Sequence, residues 1–322
     1  MLDPRRPAVI LAPMEGVTDA PMRALQGEVG AFTYAVSEFL RVAGQVPPKH
    51  VFLRHVPELR AGCRTRTGLP VQVQLLGGDP GRMAEAAARA VECGATAVDL
   101  NFGCPANTVN RHDGGATLLK FPVRLRGIVR AVRDAVPANV PVSAKMRLGW
   151  DSIEPIRENA AMAAEGGASW IAIHGRTRVA GYAPPVFWEP IGRIRESLGI
   201  PVIANGDIRT LDDFRRCREA TGCIHFMLGR GALADPDLSH GVAAELGIVP
   251  ADGPTDWNWP RLLDRLTDWT RVLVEAPPEN GVRRMKQWLK MAATAGTFDR
   301  FDEVKRCETD AELMEVLKLR GY

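Results

Sequence analysis

The sequence predicts a parallel (β/α)8 barrel followed by a small C-terminal helical domain. Short apolar, β-branched runs recur from Val9 to Leu228, and stretches with helical periodicity fit between most of them. After Leu246 this alternation stops, and only helical spacing follows. A doubly wound parallel sheet is the alternative α/β fold, but its nucleotide-binding fingerprint, G-x-G-x-x-G, is absent.

Eight strands are predicted in chain order, each a short apolar run bounded by turn-forming residues. We expect them at Val9–Ala12, Tyr34–Ser37, Val71–Leu75, Ala97–Leu100, Val142–Lys145, Trp170–Ile173, Val202–Ala204 and His225–Leu228. Helical stretches between them include Asp79–Glu92, Val123–Ala135, Ile153–Ala164, Pro190–Ser197 and Leu211–Ala220.

The region after Leu246 is predicted to be a separate helical domain. Its first part is rich in Pro and Gly and indicates a linker, at Pro250, Gly253, Pro254 and Pro260. Helical spacing then recurs at Arg261–Glu275, Gly281–Thr294 and Ala311–Leu319. We therefore expect a barrel domain over residues 1–245 and a helical domain over residues 246–322.

Composition excludes several classes of protein. The chain of 322 residues is 46% hydrophobic and 25% charged, as in soluble globular proteins. No apolar run approaches the ~20 residues of a membrane span, and Val9–Ala12 is too short for a signal-peptide core. The six cysteines form no C-x-x-C pair and no zinc-ligand spacing, so we expect reduced thiols, no metal and a cytoplasmic location. A net charge of +3 does not by itself indicate a nucleic-acid partner.

One cysteine stands at a position typical of catalysis. The apolar run Ala95–Leu100 ends in Asn101, and Phe102-Gly103-Cys104-Pro105 follows. A thiol is thereby predicted on a loop at the C-terminal end of a strand, where α/β folds place their chemistry. The alternative is that Cys104 is a small apolar filler at a turn, and this stretch alone does not decide between the two.

Other polar residues follow the predicted strands and are expected to converge on the same face of a barrel. This set contains Pro13, Met14, Glu38, Gln74, Asn101, Cys104, Lys145, His174, Asn205, Gly206, Gly229 and Arg230. Taken one at a time, these residues also have structural interpretations. Lys145 could form an ion pair with Asp99 or Glu38, and His174 could be a hydrogen-bonded histidine of the core. Together the set predicts a site for an anionic cofactor that is rich in hydrogen-bonding groups.

Two segments are candidates for binding phosphate. Ala204–Ile208 follows the seventh predicted strand, and Leu228–Ala232 follows the eighth. Loops after those strands commonly bind phosphate in barrels through backbone N–H groups, and glycine allows the backbone to come close. Arg230 adds a charge-assisted donor.

Hydrolysis and metal catalysis are disfavoured. The histidines show no H-E-x-x-H motif, and Cys104 lies in no G-x-S-x-G type of elbow. A Cys–His dyad of Cys104 with His174 or His112 remains a minor alternative.

Several motifs resemble those of the tRNA-dihydrouridine synthases, in the same order and spacing along essentially the whole barrel. They are A-P-M-E-G-V-T-D (12–19), L-N-F-G-C-P (100–105), G-G-A-T-L-L (114–119), K-M-R-L-G-W (145–150), H-G-R-T (174–177), A-N-G-D-I (204–208) and G-R-G-A (229–232). The later M-K-Q-W-L (285–289) is similar to the C subfamily, whose members modify uridine 16 of tRNA. The chain departs from the family at Phe102, in the segment 111–113, at Met291 in place of an aromatic residue, and at Lys305 aligned with an Arg.

The resemblance implies an FMN enzyme that NADPH reduces, in which Cys104 protonates C5 of a uracil ring while hydride reaches C6. It places Pro13 and Met14 at the flavin ring, Gln74 and Lys145 near its polar edge, and His174 alongside. It places the phosphate on Asn205, Gly206, Asp207, Gly229 and Arg230.

The resemblance also implies tRNA contacts at Arg41, Asn101, Tyr182, Arg284 and Lys286. From Gly241 onward the chain has 12 Lys+Arg and 14 Asp+Glu, so bulk charge does not recruit RNA. The spacing of the basic residues around Arg284 by itself favours a helix face in contact with solvent. The resemblance instead favours contact with RNA.

The alternatives to a monomeric tRNA-modifying enzyme are an FMN reductase of a free pyrimidine, similar to dihydroorotate dehydrogenases, and a non-catalytic RNA-binding protein.

Overall fold

The computed structural model describes residues 2–110, 114–250, 257–274 and 279–318. Its centre is a closed barrel in which eight parallel strands pair in chain order and β8 pairs with β1. The strands are β1 (Ala8–Leu11), β2 (Tyr34–Arg41), β3 (Val71–Leu76), β4 (Val98–Phe102), β5 (Val142–Arg147), β6 (Trp170–His174), β7 (Val202–Asn205) and β8 (His225–Leu228). The predicted (β/α)8 barrel is confirmed, and each predicted strand overlaps an observed one.

Most strands run further than their predicted ends. β2 continues through Glu38 to Arg41, β4 through Asn101 to Phe102, and β5 through Met146 to Arg147. A polar residue interrupts the apolar pattern of the sequence. The strand itself continues where the barrel interior offers that side chain hydrogen-bond partners. Glu38 and Asn101 therefore lie within strands rather than just beyond them, whereas Gln74 and Lys145 fall inside strands that the pattern had already predicted.

The helices form the outer layer of the barrel. They are α1 (Ala20–Val29), α2 (Lys49–His55), α3 (Pro80–Glu92), α4 (Asn107–Asn110), α5 (Pro122–Ala135), α6 (Ile156–Glu165), α7 (Glu189–Ser197), α8 (Leu211–Thr221), α9 (Arg230–Ala234) and α10 (Leu238–Glu245). Short 3-10 segments lie at Pro57–Ala61 and Gly115–Lys120. All five helices predicted between the strands are present. The sequence prediction did not specify α1, most of whose residues are buried, including Arg23 and Gln26, so it lacks a polar face.

The C-terminal region is helical, with α11 (Trp259–Leu273), α12 (Glu279–Ala295), α13 (Phe301–Val304) and α14 (Asp310–Lys318). Most of the predicted linker, as well as Glu275 and Leu319, lies outside the described residues. α11 packs against α1, and α12 packs against α9. One apolar cluster joins these helices, including Met22, Leu25, Val29, Leu233, Trp259, Leu263 and Trp288. No helix in the described part of the chain has the length and apolar character needed to cross a membrane.

Candidate active site

A cavity of about 620 Å³ opens at the C-terminal end of the barrel. Its walls come from the segments that follow β1, β4, β6, β7 and β8 and from the interior ends of β3 and β5, with Met291 of α12 at the edge. Of the predicted site residues, the wall includes Pro13, Met14, Gln74, Asn101, Cys104, Lys145, His174, Tyr182, Asn205, Gly206, Asp207, Gly229 and Arg230. Sequence reasoning therefore selected residues that the fold brings together, except Glu38, which is not on this wall and accepts from Val17 N–H at 3.2 Å.

Asn101 holds the segment that carries Cys104. Its side-chain oxygen accepts hydrogen bonds from the backbone N–H groups of Gly103 at 3.0 Å and Cys104 at 2.8 Å. The Cys104 carbonyl accepts from Ala116 N–H at 3.2 Å and from the Asn110 amide at 3.2 Å. Burial raises the pKa of the Cys104 thiol, and Glu15 acts in the same direction. Cys104 is therefore a fixed thiol that keeps its proton at neutral pH.

A chain of hydrogen bonds beneath the cavity orients Asn101. The Gln74 amide nitrogen donates to Asp99 at 2.7 Å, and the Ser143 hydroxyl donates to the other Asp99 oxygen at 2.5 Å. Gln74 then accepts from the Asn101 amide nitrogen at 2.9 Å. Asp99 is 3% exposed and was no candidate from the sequence, although an acid within a predicted buried strand was a signal for one. Because the carboxylate accepts from the Gln74 amide nitrogen, the Gln74 oxygen faces the Asn101 nitrogen, and the Asn101 oxygen is left to face the Cys104 N–H.

At neutral pH, Lys145 contributes a cationic side chain to the cavity and His174 contributes an uncharged one. Burial lowers the pKa of Lys145 to about 8, with a contribution from Arg147. Its Nζ donates to the Asn205 side-chain oxygen at 3.1 Å, rather than forming an ion pair with Asp99 or Glu38. Burial, helped by Lys145 and three arginines, places the pKa of His174 well below its ordinary value, so the imidazole is neutral. The buried Nδ1 of His174 has no hydrogen-bond partner.

Asp207 is surrounded by arginines after β7. Its carboxylate bonds to Arg176, accepts from Arg230 at 3.0 Å and lies 3.4 Å from Arg209. The arginines lower the pKa of Asp207, against the effect of its burial. Arg176 is fully buried, its Nη1 has no partner, and sequence reasoning did not identify it beyond the H-G-R-T motif.

Tyr182 covers part of the cavity mouth. The guanidinium carbon of Arg230 lies 4.5 Å from the centre of the Tyr182 ring, and that of Arg147 lies 5.2 Å from it. The centres of the Tyr182 and His174 rings are 6.3 Å apart, with the rings edge to face. The side chain is 54% exposed. An aromatic ring held by two cations at the mouth is positioned to contact what enters.

The three remaining predicted RNA contacts lie outside the cavity wall. Arg41, at the end of β2, donates to the Thr108 carbonyl at 3.2 Å. Arg284 of α12 donates to the Asp19 carboxylate at 2.6 Å. Lys286 donates to the Cys307 carbonyl at 2.8 Å. Trp288 and Leu289 of the same helix are buried.

The hydrolase alternative gains no support from the site. Cys104 bonds to Asn101, Asn110 and Ala116 through its main chain, and no hydrogen bond joins its thiol to a histidine among the described residues. His112 lies outside the described residues. Among the residues that the structure describes, no three His, Cys, Asp or Glu side chains are grouped to hold a metal ion.

Comparison with known proteins agrees with the site. The family model described as "Dihydrouridine synthase (Dus)" matches residues 10–301. The chain belongs to the dihydrouridine synthase family. Relatives named tRNA-dihydrouridine(16) synthase include one from Aquipseudomonas alcaligenes, 45% identical over 96% of this chain and 98% of its own length. One from Pseudomonas putida is 48% identical over 88% and 87% of the two chains, and one from Shewanella oneidensis is 44% identical over 96% and 97%.

Among solved structures, histamine dehydrogenase from Rhizobium sp. 4-9 aligns with a TM-score of 0.55 at 15% identity, over 75% of this chain and 46% of that one. This likeness concerns the fold alone.

Proposed function

We propose that this dihydrouridine synthase family member reduces uridine to 5,6-dihydrouridine in tRNA, at position 16 of the D-loop. The observation that carries the proposal is the protonated, backbone-anchored Cys104 thiol at the wall of a cavity that also contains Lys145 and neutral His174. Relatives named for this reaction match the chain over nearly their whole length.

The residues present fit FMN as the cofactor. One buried polar atom of a residue on the cavity wall, His174 Nδ1, lacks a partner, as expected for a group that binds a ligand. Arg176 Nη1, on the arginine that bonds to Asp207, is also unpaired. A Cβ atom at Gly229 would lie 3.4 Å from Met14 Sδ, in ordinary van der Waals contact, so it would fill space beside Met14 that glycine leaves free. Asn205, Gly206, Gly229 and Arg230 would hold the phosphate, with Pro13, Met14, Gln74 and Lys145 nearer the ring.

Each residue then has a defined task. When bound, FMN that NADPH has reduced supplies the hydride that reaches C6 of the uracil ring. Cys104 holds a proton on Sγ and delivers it to C5, which quenches the negative charge that develops on the ring. Lys145 adds positive charge beside the site, in surroundings that exclude water. Asn101 and Asp99 keep Cys104 and the two amides in place.

The helical region provides the proposed tRNA-binding surface. We propose a catalytic barrel over residues 1–245 and an RNA-binding helical domain from residue 246, with Arg284 and Lys286 on the RNA side. Arg41, Asn101 and Tyr182 would then contact the nucleotide that enters the cavity and its neighbours. The oligomeric form proposed is a monomer.

Cys104→Ala tests the assignment. FMN absorbance and NADPH oxidation should persist, while dihydrouridine formation in tRNA falls by about 10²–10⁴-fold, the range typical of a lost general acid. Cys93→Ala, on the outer end of α3, is the matched control and should keep wild-type turnover. Normal turnover by Cys104→Ala would exclude the proton-donor role.

The alternatives are separated by substrate. A free-pyrimidine reductase would turn over a free pyrimidine rather than tRNA, and a non-catalytic RNA-binding protein would purify without a flavin band. Nucleoside analysis of tRNA from a strain that lacks the protein identifies the modified position, and loss of dihydrouridine at 20 with 16 retained would contradict the assignment to position 16.

A further inference from the structure

A cation–aromatic stack lies beside the cavity on the same face of the barrel. Lys120 Nζ lies 3.8 Å from the centre of the Trp150 ring, and the Arg178 guanidinium lies 4.6 Å from it. Arg178 also bonds to the side chain of Asn107, which forms part of the cavity wall. The stack is therefore continuous with the cavity mouth.

Three successive loops contribute to the stack. Lys120 ends the 3-10 segment after β4, Trp150 follows β5, and Arg178 follows β6. These are adjacent parallel strands, so their C-terminal ends share one edge of the mouth. Backbone N–H groups of Arg178 and Val179 donate to the Gly149 and Trp150 carbonyls at 2.9 and 2.8 Å. The stack is thus held by main-chain bonds before any ligand arrives.

Both cations lack an acidic partner among the described residues. Lys120 is exposed, and the buried Nε of Arg178 has no hydrogen-bond partner. The adjoining Val179 is 61% exposed. A charged pair that rests on an aromatic ring and is not neutralised within its own fold is complementary to an anion.

The stack lies across the mouth from the helical region. α11 packs against α1, which follows β1, and α12 packs against α9, which follows β8. In a closed barrel of eight strands, β8 and β1 lie opposite β4 and β5. A polynucleotide that inserts one base into the cavity has to rest on the rim at both sides, and only one side carries α11–α14.

We propose that Lys120, Trp150 and Arg178 form a phosphate-binding ridge for the RNA strand that flanks the reduced uridine. This inference rests on the proposed function, because the occupant is the tRNA itself. Lys120 and Arg178 each neutralise one backbone phosphate, and Trp150 keeps the two cations at a fixed separation. Together with the helical region, the ridge supports the strand on both sides of the inserted base.

The test compares the full-length flavin-loaded enzyme with its Lys120→Gln/Arg178→Gln double variant. Binding of an unmodified tRNA transcript is measured by fluorescence anisotropy at several salt concentrations. Two lost phosphate contacts should reduce the slope of log affinity against log salt by about 1.4 to 1.8. Flavin absorbance and NADPH oxidation without tRNA should be unchanged. Lys120→Arg, which keeps the charge, should retain the wild-type slope.

Arg66→Gln is the matched control, since Arg66 is exposed and precedes β3 at the opposite end of the barrel. A wild-type slope in the double variant overturns the proposal. A raised KM for NADPH with an unchanged tRNA slope overturns it too, because the ridge would then bind the phosphates of the reductant. The proposed function is judged separately, by whether the wild-type enzyme forms dihydrouridine in the same transcript.

Discussion

Asn101 anchors Cys104 through a single oxygen, which accepts the Cys104 backbone N–H at 2.8 Å. Asn101→Ala removes that acceptor and also leaves the Gly103 N–H without its partner. Losing a buried acceptor costs about 1–3 kcal/mol, which corresponds to roughly a 5- to 150-fold lower rate if the loss falls on the transition state. We expect dihydrouridine formation to fall within that range while FMN occupancy stays normal.

Asn101→Asp separates anchoring from the other roles of this residue. It keeps an oxygen for Cys104 and replaces the donor to Gln74 with a carboxylate oxygen, and because the Cys104 anchor is retained it should keep more activity than Asn101→Ala. Single-turnover measurements with pre-reduced enzyme compare the two variants, and equal rates would contradict the anchoring role.

FMN affinity should depend on pH through Lys145. Below pH 8 the lysine is already charged in the free protein, because burial places its pKa at about 8. If the bound cofactor favours the charged form, binding above pH 8 must take up a proton, and affinity falls by up to tenfold per pH unit. Titration of the apo-protein with FMN, followed by flavin fluorescence, measures this dependence. Lys145→Gln should bind more weakly at pH 7 and show no decline near pH 8, whereas a decline identical to that of the wild type would assign the effect to another group.

Arg230 and Asp207 should affect FMN binding in different ways. Arg230→Ala removes a proposed phosphate contact and should purify largely colourless. Asp207→Asn keeps the main chain but removes the charge that holds Arg176 and Arg230 in place. If Asp207 positions the arginines, Asp207→Asn should weaken FMN binding, even though it removes a negative charge near the proposed phosphate site. Tighter FMN binding would show instead that the carboxylate only competes with the phosphate for the arginines. Arg216→Ala, on the outer face of α8, serves as the control in FMN titrations.

Arg284 forms an ion pair with Asp19. Substituting each partner in turn therefore tests whether Arg284 binds RNA. Arg284→Ala should weaken tRNA binding and reduce its salt slope by about one. Asp19→Asn releases Arg284 while keeping a side chain that caps α1, so tRNA binding should be retained or improved. If Arg284 is structural only, the two variants should destabilise the protein alike and leave the salt slope unchanged. Thermal unfolding and anisotropy, measured on the same samples, separate these results.

Apolar patterning was sufficient to predict every strand of the barrel, because a parallel strand buried on both faces is a continuous apolar run. It also predicted Cys104, Lys145 and His174 at one site, since parallel strands place their C-terminal ends together. Strand ends were less predictable, because Glu38 and Asn101 continue β2 and β4 with polar side chains. Asp99 and Arg176 were missed because buried charges leave no periodic signal, and their partners lie far away in sequence.

The apolar cluster that joins α1, α9 and α11–α14 packs the C-terminal helices against two helices of the barrel. Met22, Leu25 and Val29 on α1 and Leu233 on α9 are covered by side chains such as Trp259 and Trp288. α1 follows the loop that carries Pro13 and Met14, and α9 begins at Arg230. A chain shortened after the barrel would therefore expose a continuous apolar face, as well as loosening both ends of the cofactor cradle. We therefore expect removal of α11–α14 to lower both the stability of the barrel and its affinity for FMN.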